Sequence, residues 1–372
     1  MQSMKMSCPC HFGLEGILSG ELKRMGAKDI VVTDGRVQFS GEAVDMVRAN
    51  LWLRTAERVQ IVLGEFKASS FEELFDGVRA LELEQYIGKE DAFPVKGFAL
   101  NSQLYSIPDC QSIIKKAAVE RLKEVYGISW FEETGPKVQI NFAILKDVVT
   151  IMLDTSGVGL HKRGYRDKAN AAPIKETLAA GIADLAWVRP DSVLYDPLCG
   201  SGTMLIEACY KALNVAPGIR RRFAAEKWGS IPAEIWAQER SRAKDLVRRD
   251  ASLVAYGSDI DPAAIELTRD NVRKAGVSGR VKLEQLDVKD FAYKSEQGIV
   301  LTNPPYGERM LELSEAEQLY AAMGKVLEKN DTHRCYIISP HEEFERMFGK
   351  TADKRRKLYN GMIKCQLYMY FK

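Results

Sequence analysis

The 372-residue sequence has no run of 18 apolar residues, so it offers no membrane span. Its N-terminus, MQSMKMSCPCHFGLEG, lacks the apolar core that a signal peptide needs. Neither sign of charge dominates: 53 Lys and Arg face 51 Asp and Glu, a net charge of +2. A polyanionic partner is therefore not announced by the whole-chain balance, and local charge must decide. Seven cysteines, an odd number without regular spacing, argue against a disulfide framework and for a reducing compartment. Cys8, Cys10 and His11 stand close together, but no second half of a zinc site follows, and no metal is expected. No tandem repeat or long low-complexity segment is evident. These absences leave a cytoplasmic protein of ordinary composition, 46% hydrophobic and 28% charged, long enough for two or three domains.

The first 66 residues read as strand, helix, strand, strand, helix, strand, the ferredoxin-like order. In the first helix Leu14, Ile17, Leu18, Leu22 and Met25 follow helical spacing. Asp34 and Gly35 make the turn between two short strands. Residues 67–159 form a second small α/β unit of helix, strand, helix and hairpin, with Ser70 as a helix cap and the hairpin turning near Lys146 and Asp147. The basic, Gly-broken stretch LHKRGYRDK reads as a linker, and a helix begins at about Pro173. From Val193 onward strands alternate with helices, which predicts an open, mostly parallel sheet covered on both faces, edged by a C-terminal hairpin. The expected fold class is α/β, with a Rossmann-like sheet at 160–372 following two α+β units at 1–66 and 67–159.

Ligands in such sheets bind at the C-terminal ends of the strands. The first strand ends at Asp196 and is followed by Cys199, Gly200, Ser201, Gly202 and Thr203 at the start of a helix. The glycines permit a tight turn, and the helix N-terminus offers free N–H groups. Neither G-x-G-x-x-G nor G-x-x-x-x-G-K-[ST] occurs there, which disfavours a dinucleotide or phosphate cradle and leaves a carboxylate as a suitable guest. The second strand ends at Asp259, placed to bind two ribose hydroxyls; Asp261 is read as the cap of a helix opening on Pro262. The third ends at Asp287, which could accept from an adenine amino group or be only a solvated turn residue. The fourth ends at Asn303-Pro304-Pro305-Tyr306. Four polar features at successive strand ends are far more specific than any one of them.

DPLCGSGT, the Asp259 and Asp287 ends and NPPY resemble motifs of class I S-adenosylmethionine-dependent methyltransferases that modify exocyclic amines. More closely, SIPDCQ, LHKRGYR, APIKETLAAG, DPLCGSGTMLIEA, LTNPPYGERM and KLYNGMIKCQLYMYF are similar to the bacterial THUMP-domain RNA methyltransferases, specifically the RlmL-type enzymes that form N2-methylguanine in 23S rRNA. The resemblance covers essentially the whole chain. It implies a ferredoxin-like domain and a THUMP domain that bind RNA, and S-adenosylmethionine as cofactor. By motif it assigns Asp196, Gly200 and Gly202 to the methionine part, Asp259 to ribose and Asp287 to adenine. Cys199, Ser201, Thr203, Ile260 and Val288 are their neighbours in the cofactor site, and Lys175 and Glu176 border it. Asn303, Pro304, Pro305 and Tyr306 fall to the target base. Some RlmL-type proteins carry a second, C-terminal methyltransferase domain; one such domain is read here, so one activity is expected.

The interval from Asp196 to Asp259 is 63 residues, where a plain βαβ step needs about 30. Its excess, Gly218 to Arg249, holds nine Lys and Arg against four Asp and Glu, with Phe223, Trp228 and Trp236 interleaved. Basic side chains neutralise phosphates and aromatics stack on unpaired bases. An amphipathic excursion anchored by its tryptophans is the competing reading. Candidate RNA contacts are Lys162, Arg163, Arg166, Arg220, Arg221, Arg222 and Trp228. In the expected chemistry, the Asn303 side-chain oxygen and the Pro304 carbonyl accept the two amine hydrogens, aiming the nitrogen lone pair at the methyl group from about 3–3.5 Å, while Tyr306 stacks on the extruded base. The NPPY motif alone admits adenine N6, cytosine N4 or a glutamine amide as acceptor. A tRNA guanine and a non-catalytic ribosome-assembly factor are the alternatives.

Overall fold

The computed structural model describes residues 3–166, 174–307, 313–327 and 332–371. Its chain forms two compact units. The first comprises residues 1–9, 19–160 and 222–242; the second comprises 10–18, 161–221 and 243–372.

The first unit contains β1 (Met4–Pro9), α1 (Glu15–Arg24, shared in part with the second unit), β2 (Lys28–Thr33), β3 (Arg36–Gly41), α2 (Ala43–Trp52) and β4 (Gln60–Lys67). It continues through α3 (Phe71–Arg79), β5 (Val95–Leu100), α4 (Ile107–Tyr126), β6 (Ile140–Leu145) and β7 (Val148–Asp154). The expected local signals are realised. Ser70 Oγ accepts from the Glu73 N–H at 3.2 Å to cap α3. Lys146 and Asp147 turn the β6–β7 hairpin with φ of +52° and +61°. The two N-terminal blocks share one seven-stranded sheet, ordered β2-β3-β1-β4-β7-β6-β5, because β4 pairs antiparallel with β7 along its length. Pairing two edge strands removes two exposed rows of backbone donors and acceptors.

The second unit holds α5 (Glu176–Leu185), β8 (Val193–Asp196) and α6 (Thr203–Ala212). Then come α7 (Ala233–Asp245, most of it in the first unit), β9 (Val254–Asp259), α8 (Pro262–Ala275), β10 (Val281–Gln285) and β11 (Gly298–Thr302). It ends with α9 (Leu313–Leu327), β12 (His333–Ser339), α10 (Phe344–Phe348), β13 (Lys354–Asn360) and β14 (Ile363–Tyr370). The sheet order is β10-β9-β8-β11-β12-β14-β13, parallel except where the terminal hairpin joins antiparallel. Order reverses at β8, the switch point where a crevice opens. Successive strand residues point to opposite cores: Leu194, Ile299 and Leu301 into one, Tyr195 and Val300 into the other. That is why these strands read as continuous apolar runs rather than alternating ones.

One reading needs correction. The stretch taken as a linker is, in its described part, packed: Arg163 and Tyr165 are 3% and 1% exposed. Pro173 lies outside the described residues, and the helix after it is described from Glu176.

Candidate active site

After Asp196 the chain turns through Cys199, Gly200, Ser201 and Gly202 into α6. Gly202 has φ +76°, and a Cβ there would stand 2.7 Å from Thr268 Cγ2, so both the turn and the close approach of α8 require glycine. The loop is pinned from α8: Thr268 Oγ1 donates to Gly200 O at 2.8 Å and Asn271 Nδ2 to Ser201 O at 2.9 Å. From β9, Asp259 Oδ2 accepts from the Gly200 N–H at 2.9 Å. The glycine turn and the second acidic strand end are thus one hydrogen-bonded structure. Thr268 and Asn271 were missed in the sequence reading. Their signal was there: two polar residues three apart on the apolar face of α8, both fully buried.

Asp196 is 2% exposed and accepts from Thr302 Oγ1 at 2.7 Å and from the Leu198 N–H at 3.3 Å. Burial pushes its carboxyl up to about 7, with the Asp259 charge adding and the Thr302 bond opposing. Burial also raises Asp259. Asp261 does what its position before Pro262 predicts, accepting from the Ala263 N–H at 2.8 Å as the cap of α8. Asp287 accepts from the Lys289 N–H at 3.0 Å and starts a short turn.

Beyond Thr302, the Asn-Pro-Pro-Tyr segment is held from three sides. Tyr306 Oη donates to Asn303 Oδ1 at 2.7 Å. Asn360 Nδ2, at the end of β13, donates to Tyr306 Oη at 3.3 Å, and Cys365 Sγ lies 3.8 Å from the same oxygen. Tyr320 Oη, on α9, donates to Pro305 O at 2.7 Å. Burial raises the Tyr306 phenol, so it keeps its proton. Tyr306 is only partly exposed: its ring packs on the core and also faces the crevice.

All four strand ends line one cavity of about 490 Å³. Asp196, Gly200, Ser201 and Thr203 form one part, Asp259, Ile260, Asp287 and Val288 another, and Asn303 to Tyr306 the wall beside α9. Cys199 lines it as well, with a buried thiol. Carboxylates at three strand ends suit an ammonium, a ribose diol and an amino group; the N-terminal end of α6 suits a carboxylate. That donor set fits S-adenosylmethionine. Glu176 sits differently: it is 1% exposed and pairs with Arg166 at 2.8 Å, while Arg166 also reaches Thr203 Oγ1 at 3.1 Å and Ile174 O at 3.0 Å. It supports the glycine-turn helix from behind, and its neighbour Lys175 occupies the N-cap position of α5 without a side-chain capping bond.

The proposed RNA contacts divide. Lys162, Arg220 and Arg222 are exposed or partly so. Arg163 is buried against Glu207 at 3.4 Å, Arg221 is 8% exposed with one N–H directed at Lys162 O, and Arg166 is spent on Glu176. These three are not surface cations. Trp228 is 2% exposed, and its indole N–H donates to Lys137 O at 3.0 Å, leaving no face for a base. Trp236 stacks on Phe223 at 5.2 Å, also buried. The excursion between α6 and β9 is anchored by its aromatics, because their burial outweighs what solvent exposure could return.

A family model described as an RMKL-like methyltransferase domain matches residues 163–369, one for an RlmL ferredoxin-like domain matches 5–60, and one for a THUMP domain matches 68–154. The Bacillus subtilis (strain 168) protein named "Putative RNA methyltransferase YpsC" is 41% identical over 373 residues, covering 100% of this chain and 97% of that protein. The crystal structure of SMU.472 complexed with SAH superposes with a TM-score of 0.95 at 39% identity, covering 100% of this chain and 98% of that one. A Listeria monocytogenes str. 4b F2365 structure, a "predicted N6-adenine-specific DNA methylase", gives a TM-score of 0.95 at 45% identity over 100% of this chain and 96% of that one. A match over the whole catalytic sheet and a full-length likeness agree with the crevice chemistry: the chain belongs to the RMKL-like methyltransferases and carries an RlmL ferredoxin-like and a THUMP domain ahead of its methyltransferase domain.

Proposed function

We propose that the protein transfers a methyl group from S-adenosylmethionine to an exocyclic amine of RNA, guanine N2 in 23S rRNA. One observation carries the chemistry: Asn303 and Tyr306 stand on the wall of the same cavity as Asp196, Asp259 and Asp287. The THUMP domain and the name of the Bacillus subtilis relative favour RNA over DNA. The RlmL ferredoxin-like domain favours rRNA, and guanine N2 rests on the family resemblance.

The cofactor supplies an electrophilic methyl carbon on a positively charged sulfur. The protein's task is to make a poor nucleophile competent, because the amine lone pair is delocalised into the base. Asn303 Oδ1 and the Pro304 carbonyl accept the two amine hydrogens and turn the lone pair out of conjugation. The proline rings fix the backbone that carries those oxygens. With the cofactor bound, the nitrogen–carbon bond would form as the carbon–sulfur bond broke, and one amine proton would then leave to water. Asp196 would pair with the cofactor's ammonium, and Asp259 and Asp287 would hold its ribose and adenine.

The test is nucleoside mass spectrometry of 23S rRNA and tRNA from a strain deleted for the gene. We expect N2-methylguanosine to fall in 23S rRNA and to return with the wild-type gene. Asn303→Ala should not restore it, although the purified variant should still bind S-adenosylhomocysteine. Loss of N6-methyladenosine, or of a tRNA nucleoside instead, would move the activity to that target. An unchanged inventory in both RNAs would overturn the reading.

A further inference from the structure

Three side chains, two of them three residues apart and the third 54 residues further along, form a chain of hydrogen bonds that ends on the acceptor amide. Asn360 Nδ2 donates to Tyr306 Oη at 3.3 Å, and Tyr306 Oη donates to Asn303 Oδ1 at 2.7 Å. A phenol has one proton to give. With Asn360 donating into the phenol oxygen, that proton is free to go to Asn303. The bond then decides which end of the Asn303 carboxamide faces where. A carboxamide presents an oxygen at one end and an NH₂ at the other, and only the oxygen can accept from a substrate amine. A carboxamide turned end for end would set donor against donor.

We propose that Asn360, in the C-terminal hairpin, is a positioning residue: acting through the Tyr306 hydroxyl, it sets the orientation of the Asn303 carboxamide toward the substrate amine. This rests on the amine-methyltransferase reading and adds to it a residue outside every cofactor and target-base motif. Asn303 Oδ1 keeps a second lone pair for the amine hydrogen while the first takes the phenol proton. Tyr306 therefore serves twice, its ring facing the crevice and its hydroxyl carrying the relay. The hairpin is built to place Asn360. It is the last residue of β13, paired with Ile363 across a turn in which Gly361 has φ +64°, and Ile363 itself lines the cavity. Its place in the ladder is made by its backbone, so its side chain can be changed without removing the hairpin.

The relay has a direction, and that makes it separable from packing. Asn360→Asp is nearly isosteric, but an ionised carboxylate only accepts. It would draw the Tyr306 proton away from Asn303. Asn360→Ala would merely stop holding the phenol. With tritiated S-adenosylmethionine and rRNA purified from the deletion strain, we expect kcat to fall about tenfold in N360A and about a hundredfold in N360D. Affinity for S-adenosylhomocysteine should stay within twofold of wild type. In a Tyr306→Phe background the two substitutions should add little, because the relay is already cut. Wild-type kcat in N360D, or an equal loss from N360D with and without the tyrosine hydroxyl, would overturn the proposal. If wild-type protein methylates neither rRNA nor tRNA, the functional reading fails by itself. The relay is then judged by a crystal structure of N360D, where the Tyr306 hydroxyl must leave Asn303 for the new carboxylate. Retention of the 2.7 Å contact to Asn303 there would overturn it.

Discussion

Asp196 shows how a single buried side chain couples the site to pH. Burial penalises its charge and pushes its carboxyl up to about 7. In the proposed function only the ionised form pairs with the cofactor ammonium. Affinity for S-adenosylmethionine should therefore be flat above pH 7 and fall by up to about tenfold per unit below it, measured by isothermal titration between pH 5.5 and 8.5. Asp196→Asn should bind weakly at every pH and lose this slope. The sign for stability is opposite. Because the folded value is raised above the unfolded one of about 3.9, the proton on Asp196 favours the folded state at low pH. That contribution is fully present below about 4 and is lost as pH rises through 7. The strand-end acids were legible because their types and positions repeat down the sheet. The inward turn of the Tyr306 hydroxyl was not, since two of its three partners lie 54 and 59 residues further along the chain.

At the scale of elements, the turn from β8 into α6 is the most demanding part of the site. Its conformation is set locally by Gly200 and Gly202, whose φ values are +54° and +76°. Its rigidity is set by α8, through Thr268 and Asn271. Gly202→Ala should be destabilising by about 1–2 kcal/mol from the left-handed backbone alone, with a further cost from the clash with Thr268. A lowered Tm together with weaker cofactor binding is expected; wild-type values for both would show that the turn relaxes freely. Helix caps and two-residue turns, such as Ser70, Asp261 and the Lys146-Asp147 pair, could be read from sequence because each depends on residues within a few positions. The α8 clamp could not, because it depends on which helix lies beside which loop.

For the whole molecule, the assignment of chain segments to the two units departs most from sequence order. Residues 222–242 fall within the sequence span of the catalytic sheet, yet they pack in the first unit. Arg48 holds Glu239 through two bonds of 2.8 Å, Trp228 bonds Lys137 O, and the Ala225 N–H donates to Thr155 O at 3.1 Å. Trp228→Ala should cost about 3–5 kcal/mol, read as a lower urea midpoint of the first unit. RNA affinity measured well below that midpoint should be unchanged. A selective loss of RNA affinity with normal stability would restore Trp228 as a base contact. Among the described residues, no helix is long and apolar enough to cross a membrane.

By itself the sequence determined the order of elements, the acidic strand ends, the glycine turn and the Asn-Pro-Pro-Tyr segment. Each of these is written in residue type and short spacing, where backbone sterics and periodicity act directly. The tertiary structure decided which polar groups remain available. It buried Arg163, Arg221 and Trp228, joined the two N-terminal blocks through β4 and β7, and brought Asn360 to Tyr306. The physical reason is common to all of these. Whether a charge, an indole or a hydroxyl faces solvent, a ligand or a partner depends on contacts between segments distant in sequence, and burial alters what each group can do.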